Sequence, residues 1–107
     1  MRVLEFIVDG QKLTKNPACN FENLVPGTEG YLQARFSFSS DWDGVVKAAS
    51  FWRGDQECTP QLLRDGCTCM ISADALKSKT FGVGIVGKKG TQVIFTNRVA
   101  VSQNGGA

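Results

Sequence analysis

The segment "YLQARFSFS" (Tyr31–Ser39) alternates apolar and polar residues with a period of two. Successive side chains of an extended strand point to opposite faces, so Leu32, Ala34, Phe36 and Phe38 fall on one face. Tyr, Gln, Arg and Ser fall on the other face. One apolar face and one polar face are typical of an antiparallel sheet that covers a core on one side. The segment therefore predicts a half-buried strand.

Short segments of the same kind recur along the chain and are separated by turn residues. "RVLEFIV" (Arg2–Val8), a DG pair and "QKLT" predict a β-hairpin. "TFGVGIVG" (Thr80–Gly87) predicts another strand, and "KKG" follows it as a turn. The single helical candidate is "SADALKS" (Ser72–Ser78), where Ser72 is expected to cap the first turn. Together these patterns predict an all-β, antiparallel β-sandwich of about seven or eight strands with one short helical turn.

Three further segments have less regular strand patterns. "VVKAASFWR" (Val45–Arg53) lacks clean alternation, which indicates burial on both faces or a bulge. "ECTPQLL" (Glu57–Leu63) contains a proline, which favours the edge of a sheet. With "CTCMI" (Cys67–Ile71) it predicts a second hairpin, turned by "RDG". "TQVIFTNRVAVS" (Thr91–Ser102) predicts one long strand or a bent pair.

The chain has 107 residues, the size of one domain. The sandwich is expected to span residues 1–102, and residues 103–107 are expected to form a flexible C-terminal tail. Inside the domain, the segment Lys15–Gly30 contains prolines and glycines and no clear period, so it predicts a long loop.

The core is expected to form from the large apolar residues of these strands. Each tryptophan, Trp42 and Trp52, could be an exposed anchor for a partner, but burial in the core is favoured, with the indole N–H bonded to an acceptor. Gly82 and Gly84 leave room on one face of their strand for another backbone or for a large aromatic ring, which either tryptophan can supply. The predicted core residues are Phe36, Phe38, Trp42, Phe51, Phe81, Val83 and Ile85.

The chain contains no histidine. This removes the commonest general base, the usual partner of a serine or cysteine nucleophile, and the commonest transition-metal ligand. The acidic residues cluster in turns, where solvated carboxylates need no further explanation. We therefore predict no catalytic residue, no cofactor and no enzymatic activity.

Three motifs superficially suggest a ligand. "DWDG" (Asp41–Gly44) lacks the further oxygen ligands and distal glutamate of a calcium loop, and it fits a turn in which an aspartate accepts backbone N–H groups. The C-x-C spacing of Cys67 and Cys69, with Cys58 nearby in sequence, does not fit the C-x-x-C of zinc sites. "GVGIVG" has dinucleotide-type glycine spacing, but a turn and a strand follow it where a helix is required. No metal is predicted.

Charge and hydropathy narrow the choice of partner. The formal net charge is +2 and the basic residues are scattered, so no nucleic-acid surface is predicted. No run approaches the roughly 20 apolar residues of a membrane span, and the first residues do not fit a signal peptide. The expected compartment is a reducing cytosol, in which the four cysteines stay free thiols.

An ordered set of motifs resembles a known class of protein. The set comprises Y-L-x-A-x-F-x-F (31–38), "DWDG", C-x-C-x-I-S-A-D-A-L (67–76), "FGVGIVG" and "TNRVAV" (96–101). It resembles the small immunoglobulin-like β-sandwich modules of tailed-phage virions. These are found at the start of baseplate upper proteins and in short head or tail accessory proteins. The resemblance spans roughly residues 31–102. Ser72 departs from it, because the family usually has proline there.

The resemblance implies a structural role in a bacteriophage virion that is assembled in the host cytoplasm. A single small domain fits a capsid decoration (auxiliary) protein docked on the major capsid protein. A tail or baseplate module is the alternative, and a small ligand-binding β-domain is a second one. Self-association is a further expectation, because an unprotected sheet edge permits it. The expected docking elements are the termini and the long loop, in particular Asn16, Pro17, Phe21, Pro26 and Gly27.

Overall fold

The computed structural model describes residues 1–103, and it is all-β. Two short 3₁₀ turns, Ser40–Trp42 and Ala75–Lys77, interrupt the strands. The described residues form ten strands where seven or eight are predicted. The strands are β1 (Arg2–Asp9), β2 (Lys12–Lys15), β3 (Leu32–Phe38), β4 (Val46–Arg53), β5 (Gln56–Glu57), β6 (Gln61–Leu62), β7 (Thr68–Met70), β8 (Thr80–Lys89), β9 (Gln92–Phe95) and β10 (Val99–Ser102).

The smaller sheet has the strand order β2-β1-β3-β7. The β1–β2 hairpin forms as predicted, with Asp9 opposite Lys12 and Gly10 at a φ of +59° in the turn. The antiparallel prediction is wrong for β1 and β3, which run parallel from the Arg2–Leu32 pair onward. A parallel pair needs a long connection that returns the chain to the starting end. The hairpin and the loop that follows it provide this connection.

The larger sheet has the order β10-β8-β4-β5, with β6 also paired to β4 and β9 also paired to β8. Val86 pairs with Phe95, but Val83 pairs with Val99, so three residues of the last segment oppose two residues of β8. This is a β-bulge, and the last segment is the bent pair of the two alternatives. The bulge reverses which residues face inward, so Ile94 in β9 and Val101 in β10 both pack on the core.

The inner faces of both sheets enclose one apolar core. Six of the seven residues expected in the core are buried, and Phe38 is half-buried and packs against the others. Trp42 is 1% exposed, and its indole N–H donates to the carbonyl of Gly10 at 2.7 Å. Trp42 thus meets both expectations for a buried tryptophan. Gly44, at the end of the "DWDG" turn, has a φ of +74°.

The second predicted hairpin, between Glu57–Leu63 and Cys67–Ile71, is wrong. β6 pairs with β4 in the larger sheet, whereas β7 pairs with β3 in the smaller one. The "RDG" turn instead carries the chain from one sheet to the other. A single bridge joins Arg64 to Thr68 across it. Pro60 interrupts the predicted strand Glu57–Leu63 and separates β5 from β6, so each of them forms only a two-residue pairing at the edge of the larger sheet. The short pairing of β6 allows the chain to leave this sheet and enter the smaller one.

Side chains from the bulge connect the two sheets on the other side of the core. The Asn97 side chain accepts the N–H of Leu13 at 2.7 Å and donates to its carbonyl at 3.1 Å. The Gln11 side chain donates to the carbonyl of Phe95 at 3.0 Å. Asn97 therefore satisfies backbone groups at the edge strand β2, which protects part of that edge from pairing with another chain.

The structure differs from two local expectations, the cap of the helical turn by Ser72 and the start of the C-terminal tail at residue 103. The predicted helical segment contains the 3₁₀ turn Ala75–Lys77, and no side-chain capping hydrogen bond starts it, from Ser72 or otherwise. Gln103 is buried instead of lying in a tail, and its amide donates to the carbonyls of Leu76 and Ser78. The rest of the expected tail, residues 104–107, lies outside the described residues. Within residues 1–103, no helix has the length and apolarity to cross a membrane.

Candidate functional site

The outer face of the larger sheet has more exposed apolar side chains than any other surface of residues 1–103. Antiparallel partners share a face, so the pairing of β4, β6, β8 and β9 identifies which residues point away from the core. The large apolar residues on this face are Val46 (65% exposed), Leu62 (71%), Val93 (51%) and Phe95 (62%). Ala48 and Val86 lie between Leu62 and Phe95 in one cross-strand row. We call this surface the outer face.

The alternation of β4 and β8 explains why the outer face exists. Ala49 and Phe51 point into the core opposite Ile85 and Val83, which leaves the residues between them pointing outward. Those outward residues are also largely apolar, as the missing alternation of Val45–Arg53 indicates. Burial on both faces was one of the two alternatives for this strand. Of its four outward residues, Val46 is exposed, Ala48 and Trp52 are half-buried, and Ser50 is buried, so the second face is only partly covered.

Trp52 lies on the outer face, so the expectation that it belongs to the core is wrong. It is half-buried, and it lies beside Gly82, its partner in the sheet. A Cβ atom on Gly82 would lie 3.2 Å from the Cβ atom of Trp52. The guanidinium carbon of Arg98 lies 3.8 Å from the centre of the Trp52 ring, which is cation–π stacking. The expectation that a tryptophan uses the space above the glycines holds for Gly82, whereas at Gly84 the neighbours are the Arg98 side chain and the Asn97 backbone.

A cleft of about 310 Å³ opens beside this stack. Its floor includes Gly84, where a Cβ atom would lie 3.5 Å from the Cγ atom of Arg98. The bulge positions the walls, because it turns Arg98 and Phe95 to the same side of the sheet. We call this cavity the Arg98 cleft, and its side-chain walls are Ser50, Trp52, Glu57, Phe95, Thr96 and Arg98.

The charges around the Arg98 cleft are few. Arg98 is exposed, and Lys88 lies on the same outer face between Val46 and Val93. Glu57 pairs with Trp52 and provides the one carboxylate of the cleft. Within residues 1–103, one ion pair forms, between Lys77 and Asp74, and Arg98 takes no part in an ion pair. The guanidinium thus has a stacking partner and no anionic partner within the described residues.

The residues expected to dock a partner lie in a loop that is held to the body of the protein. The Arg2 guanidinium donates to the carbonyls of Asn20, Glu22 and Asn23. Phe21 packs edge-on against Phe6, with ring centres 5.5 Å apart. These contacts hold the middle of the loop against the body of the protein.

The other expected docking residues have local roles in the same loop. The Asn16 side chain accepts the N–H of Ala18 at 2.9 Å, and Pro17 between them is exposed. Pro26 is half-buried, and the N–H of Gly27 donates to the carbonyl of Leu76 at 2.7 Å. The structure therefore fixes these residues by separate contacts and does not join them to the outer face.

A second cavity, of about 390 Å³, lies beside Trp42 at the "DWDG" turn. Two of its polar side chains already have partners inside the fold. The Asp41 carboxylate accepts the Ser39 hydroxyl at 3.4 Å, and the Gln11 amide is bonded to Phe95. Gln92 is the remaining polar side chain of the lining, and the cavity has no cation stacked beside it as the Arg98 cleft has, so it is a weaker candidate site.

The cysteines form no cluster. All four are free, and Cys58 and Cys69 are buried among apolar residues. Burial raises the pKa of the Cys69 thiol to about 12, which keeps it protonated and unreactive at neutral pH. Among the described residues, no group of three or more cysteine, aspartate or glutamate side chains is placed to hold a metal ion.

Comparison with known proteins finds no counterpart. No protein-family model, no curated protein and no solved structure matches this chain.

Sequence reasoning missed the residues that build the Arg98 cleft. Phe95 and Arg98 lie in a segment whose inward and outward positions exchange at the bulge, so simple alternation misassigns one half of it. The apolar residues at Val46, Ala48 and Trp52 were a usable signal. Together with the buried positions between them, they make β4 apolar on both faces, which a one-sided sheet does not require.

Proposed function

We propose that this protein is a non-catalytic docking module of a bacteriophage virion, and most specifically a capsid decoration protein that binds the major capsid protein. The proposal includes an immunoglobulin-like classification of the two-layered fold. Its support is the motif resemblance together with one structural observation. That observation is the concentration of exposed Val46, Leu62, Val93 and Phe95 on a single rigid sheet face.

An exposed apolar sheet face needs a physical reason, because it favours aggregation unless a partner covers it. Monomeric proteins rarely expose large contiguous apolar surfaces, and such surfaces usually mark interaction sites. The outer face also carries an aromatic residue and arginine, which are enriched at the energetically important centres of interfaces. We therefore place the docking surface on the outer face instead of on the Lys15–Gly30 loop.

A decoration protein can function with a modest interface. A capsid lattice presents many identical sites, so each copy needs only a standard-sized or smaller contact for high occupancy at sufficient concentration. Such a module needs a rigid surface and no reactive centre. The absence of histidine from the chain agrees with this requirement.

Binding to purified virions tests the proposal. Phage particles that lack the protein are mixed with the purified chain, sedimented, and imaged by electron microscopy. We expect saturable binding, with added density on the capsid faces. Density on the tail or baseplate would favour the alternative structural role. Absence of binding, combined with strong thermal stabilisation by a metabolite, would replace the proposal with a ligand-binding β-domain.

A pair of substitutions tests whether the outer face is the docking surface. Phe95→Ser removes a 62%-exposed aromatic ring from the outer face, and Tyr31→Ser removes a 52%-exposed ring elsewhere as the matched control. We expect Phe95→Ser to weaken binding to particles about tenfold or more, as for a central interface aromatic residue. Tyr31→Ser should bind like the parent. Equal binding by both variants would contradict docking through the outer face.

A further inference from the structure

Arg98 is held in place without being neutralised. The guanidinium plane stacks on Trp52, and its methylene groups lie over Gly82 and Gly84. A Cβ atom at Gly82 would lie 3.9 Å from Cδ of Arg98, and one at Gly84 would lie 3.5 Å from its Cγ atom, so the arginine stem packs directly over both glycines. Stacking on an aromatic ring uses the face of a guanidinium and leaves its N–H edge free to donate. No carboxylate of the described residues lies within 4.0 Å of that edge.

The surroundings of Arg98 increase the strength of any ion pair formed there. Phe95 and Val86 form the apolar side of the cleft, and Trp52 covers one guanidinium face. A partner seated on these residues would exclude water from the charge, and the lower effective dielectric constant would strengthen the electrostatic attraction. A partner without an anion would instead bury an unpaired guanidinium, which is unfavourable.

We propose that Arg98 is an anion-recognition residue that binds the carboxylate of an aspartate or glutamate in an apolar segment of the partner protein. Val46, Leu62, Val93 and Phe95 then receive the apolar side chains of that segment. Charge complementarity supports this occupant, because the outer face presents Arg98 and Lys88 and only one carboxylate, Glu57. The inference rests on the proposed docking function, and it specifies the chemistry of the partner.

Glu57 allows a second test, because removing its charge should change the binding affinity in the opposite direction to removing the charge of Arg98. It lines the same cleft as Arg98 but forms no ion pair with it among the described residues. A carboxylate arriving at Arg98 meets repulsion from Glu57. Removing that charge therefore strengthens binding of an acidic segment, whereas removing the Arg98 charge weakens it. A purely structural role for Arg98, as a cover over the glycines, predicts instead that removing the Arg98 charge leaves the preference for an acidic segment unchanged.

The first experiment uses two blocked pentapeptides as probes. Both have valine and phenylalanine around a central residue, which is aspartate in one and asparagine in the other. Acetylated and amidated ends remove terminal charges. Binding is followed by the indole N–H signals of ¹⁵N-labelled protein. We expect the aspartate peptide to shift the Trp52 signal and to bind about tenfold more tightly than the asparagine peptide. Trp42, buried and bonded to Gly10, is the internal control and should not shift.

Variants then assign the preference to Arg98. Arg98→Gln should abolish the difference between the two peptides, and Arg98→Lys should lose most of it, because lysine neither stacks in this way nor donates in a bidentate manner. Glu57→Gln should raise affinity for the aspartate peptide alone. Equal shifts from both peptides, no shift from either at millimolar concentration, or an unchanged preference in Arg98→Gln would each overturn the inference.

The same variants separate this inference from the proposed function. If Phe95→Ser weakens particle binding but Arg98→Gln does not, the docking face stands and the carboxylate assignment fails. If the aspartate preference is found but neither variant affects particle binding, the anion site stands and docking through the outer face fails. Unfolding of each variant by urea identifies any that do not fold, and Arg98→Lys provides the second, conservative arm.

Discussion

The two tryptophans of this chain lie close to glycines of the same strand, β8, but on opposite faces of it. Trp42 contacts the position of Gly87 from the core side, where an added Cβ atom would lie 2.5 Å from the ring. Trp52 contacts Gly82 from the outside. Trp42 donates its indole N–H to the carbonyl of Gly10 and is sealed from solvent. Trp52 stacks under Arg98 and stays partly accessible.

A tryptophan packed beside a glycine therefore has a different role on each face of β8. On the inner face, glycine makes room so that a large ring can complete the packing of the core. On the outer face, glycine makes room so that an aromatic ring and a guanidinium can lie flat at the surface, next to a cleft. Substitutions on the inner face should therefore reduce stability, and substitutions on the outer face should mainly affect binding.

The largest expected effect is that of Trp42→Ala. Truncation leaves a large cavity in the core and removes the donor bonded to the carbonyl of Gly10. We expect a loss of about 3–5 kcal/mol in the free energy of unfolding. Urea denaturation followed by circular dichroism measures this loss, because the substitution removes one of the two tryptophans and therefore changes the fluorescence signal. A loss below about 1 kcal/mol would mean that Trp42 is not part of the packed core.

Gly87→Ala is expected to have the next largest effect. The new methyl group would lie 2.5 Å from the Trp42 ring and 2.6 Å from a methyl group of Val45, so atoms on both sides must move. Overpacking of this kind typically costs about 1–3 kcal/mol.

Gly84→Ala is the matched control for Gly87→Ala, in the same strand and on the opposite face. Its methyl group would lie 3.5 Å from the flexible Arg98 side chain, an ordinary contact distance. We expect a change within about 0.5 kcal/mol, measured by the same denaturation. Equal destabilisation by the two alanines would remove the distinction between the faces of β8.

Local patterns predict the faces of single strands well in this protein. The alternation of Leu32, Ala34 and Phe36 matches their burial in β3, and the β1–β2 turn lies where its DG pair indicates. These features depend on residues adjacent in sequence. Pairing between distant strands does not, and neither the parallel β1–β3 pair nor the change of sheet at Arg64–Thr68 has a local signature.

The candidate site was harder to predict than the fold. Trp42 and Trp52 both follow apolar strand residues, and nothing nearby in sequence distinguishes the buried ring from the accessible one. The decisive contacts come from far along the chain, since Arg98 is 46 positions from Trp52 in the numbering. Arg98 faces outward beside Phe95 only because the bulge adds a residue, and β-bulges lack a fixed sequence signature apart from an occasional glycine.

The pH dependence of stability at Cys69 tests the burial of the inner face in the smaller sheet. Its thiol is buried, and its pKa is raised from 9.0 to about 12 by desolvation. Above about pH 9 the unfolded chain loses this proton while the folded chain keeps it, so stability falls as pH rises toward 12. Between pH 8 and pH 10 this thiol should account for about 1 kcal/mol of lost stability.

Cys69→Ala isolates that contribution. The variant has a lower stability at every pH because of its smaller side chain, but its stability should fall less steeply between pH 8 and pH 10 than that of the parent. Identical slopes in the variant and the parent would indicate that water reaches the Cys69 thiol.

Trp52→Ala is expected to destabilise the protein much less than Trp42→Ala. The ring is half-buried and its stacking with Arg98 is at the surface, where cation–π interactions contribute about 0.5–1 kcal/mol. We expect a loss near that range in urea denaturation, several times smaller than for Trp42→Ala, because no core cavity forms. The aspartate preference in peptide binding should disappear in the same variant, since the guanidinium loses the ring that orients it. A loss of stability as large as that of Trp42→Ala would show that the outer ring supports the fold, and the two faces of β8 would then have the same role.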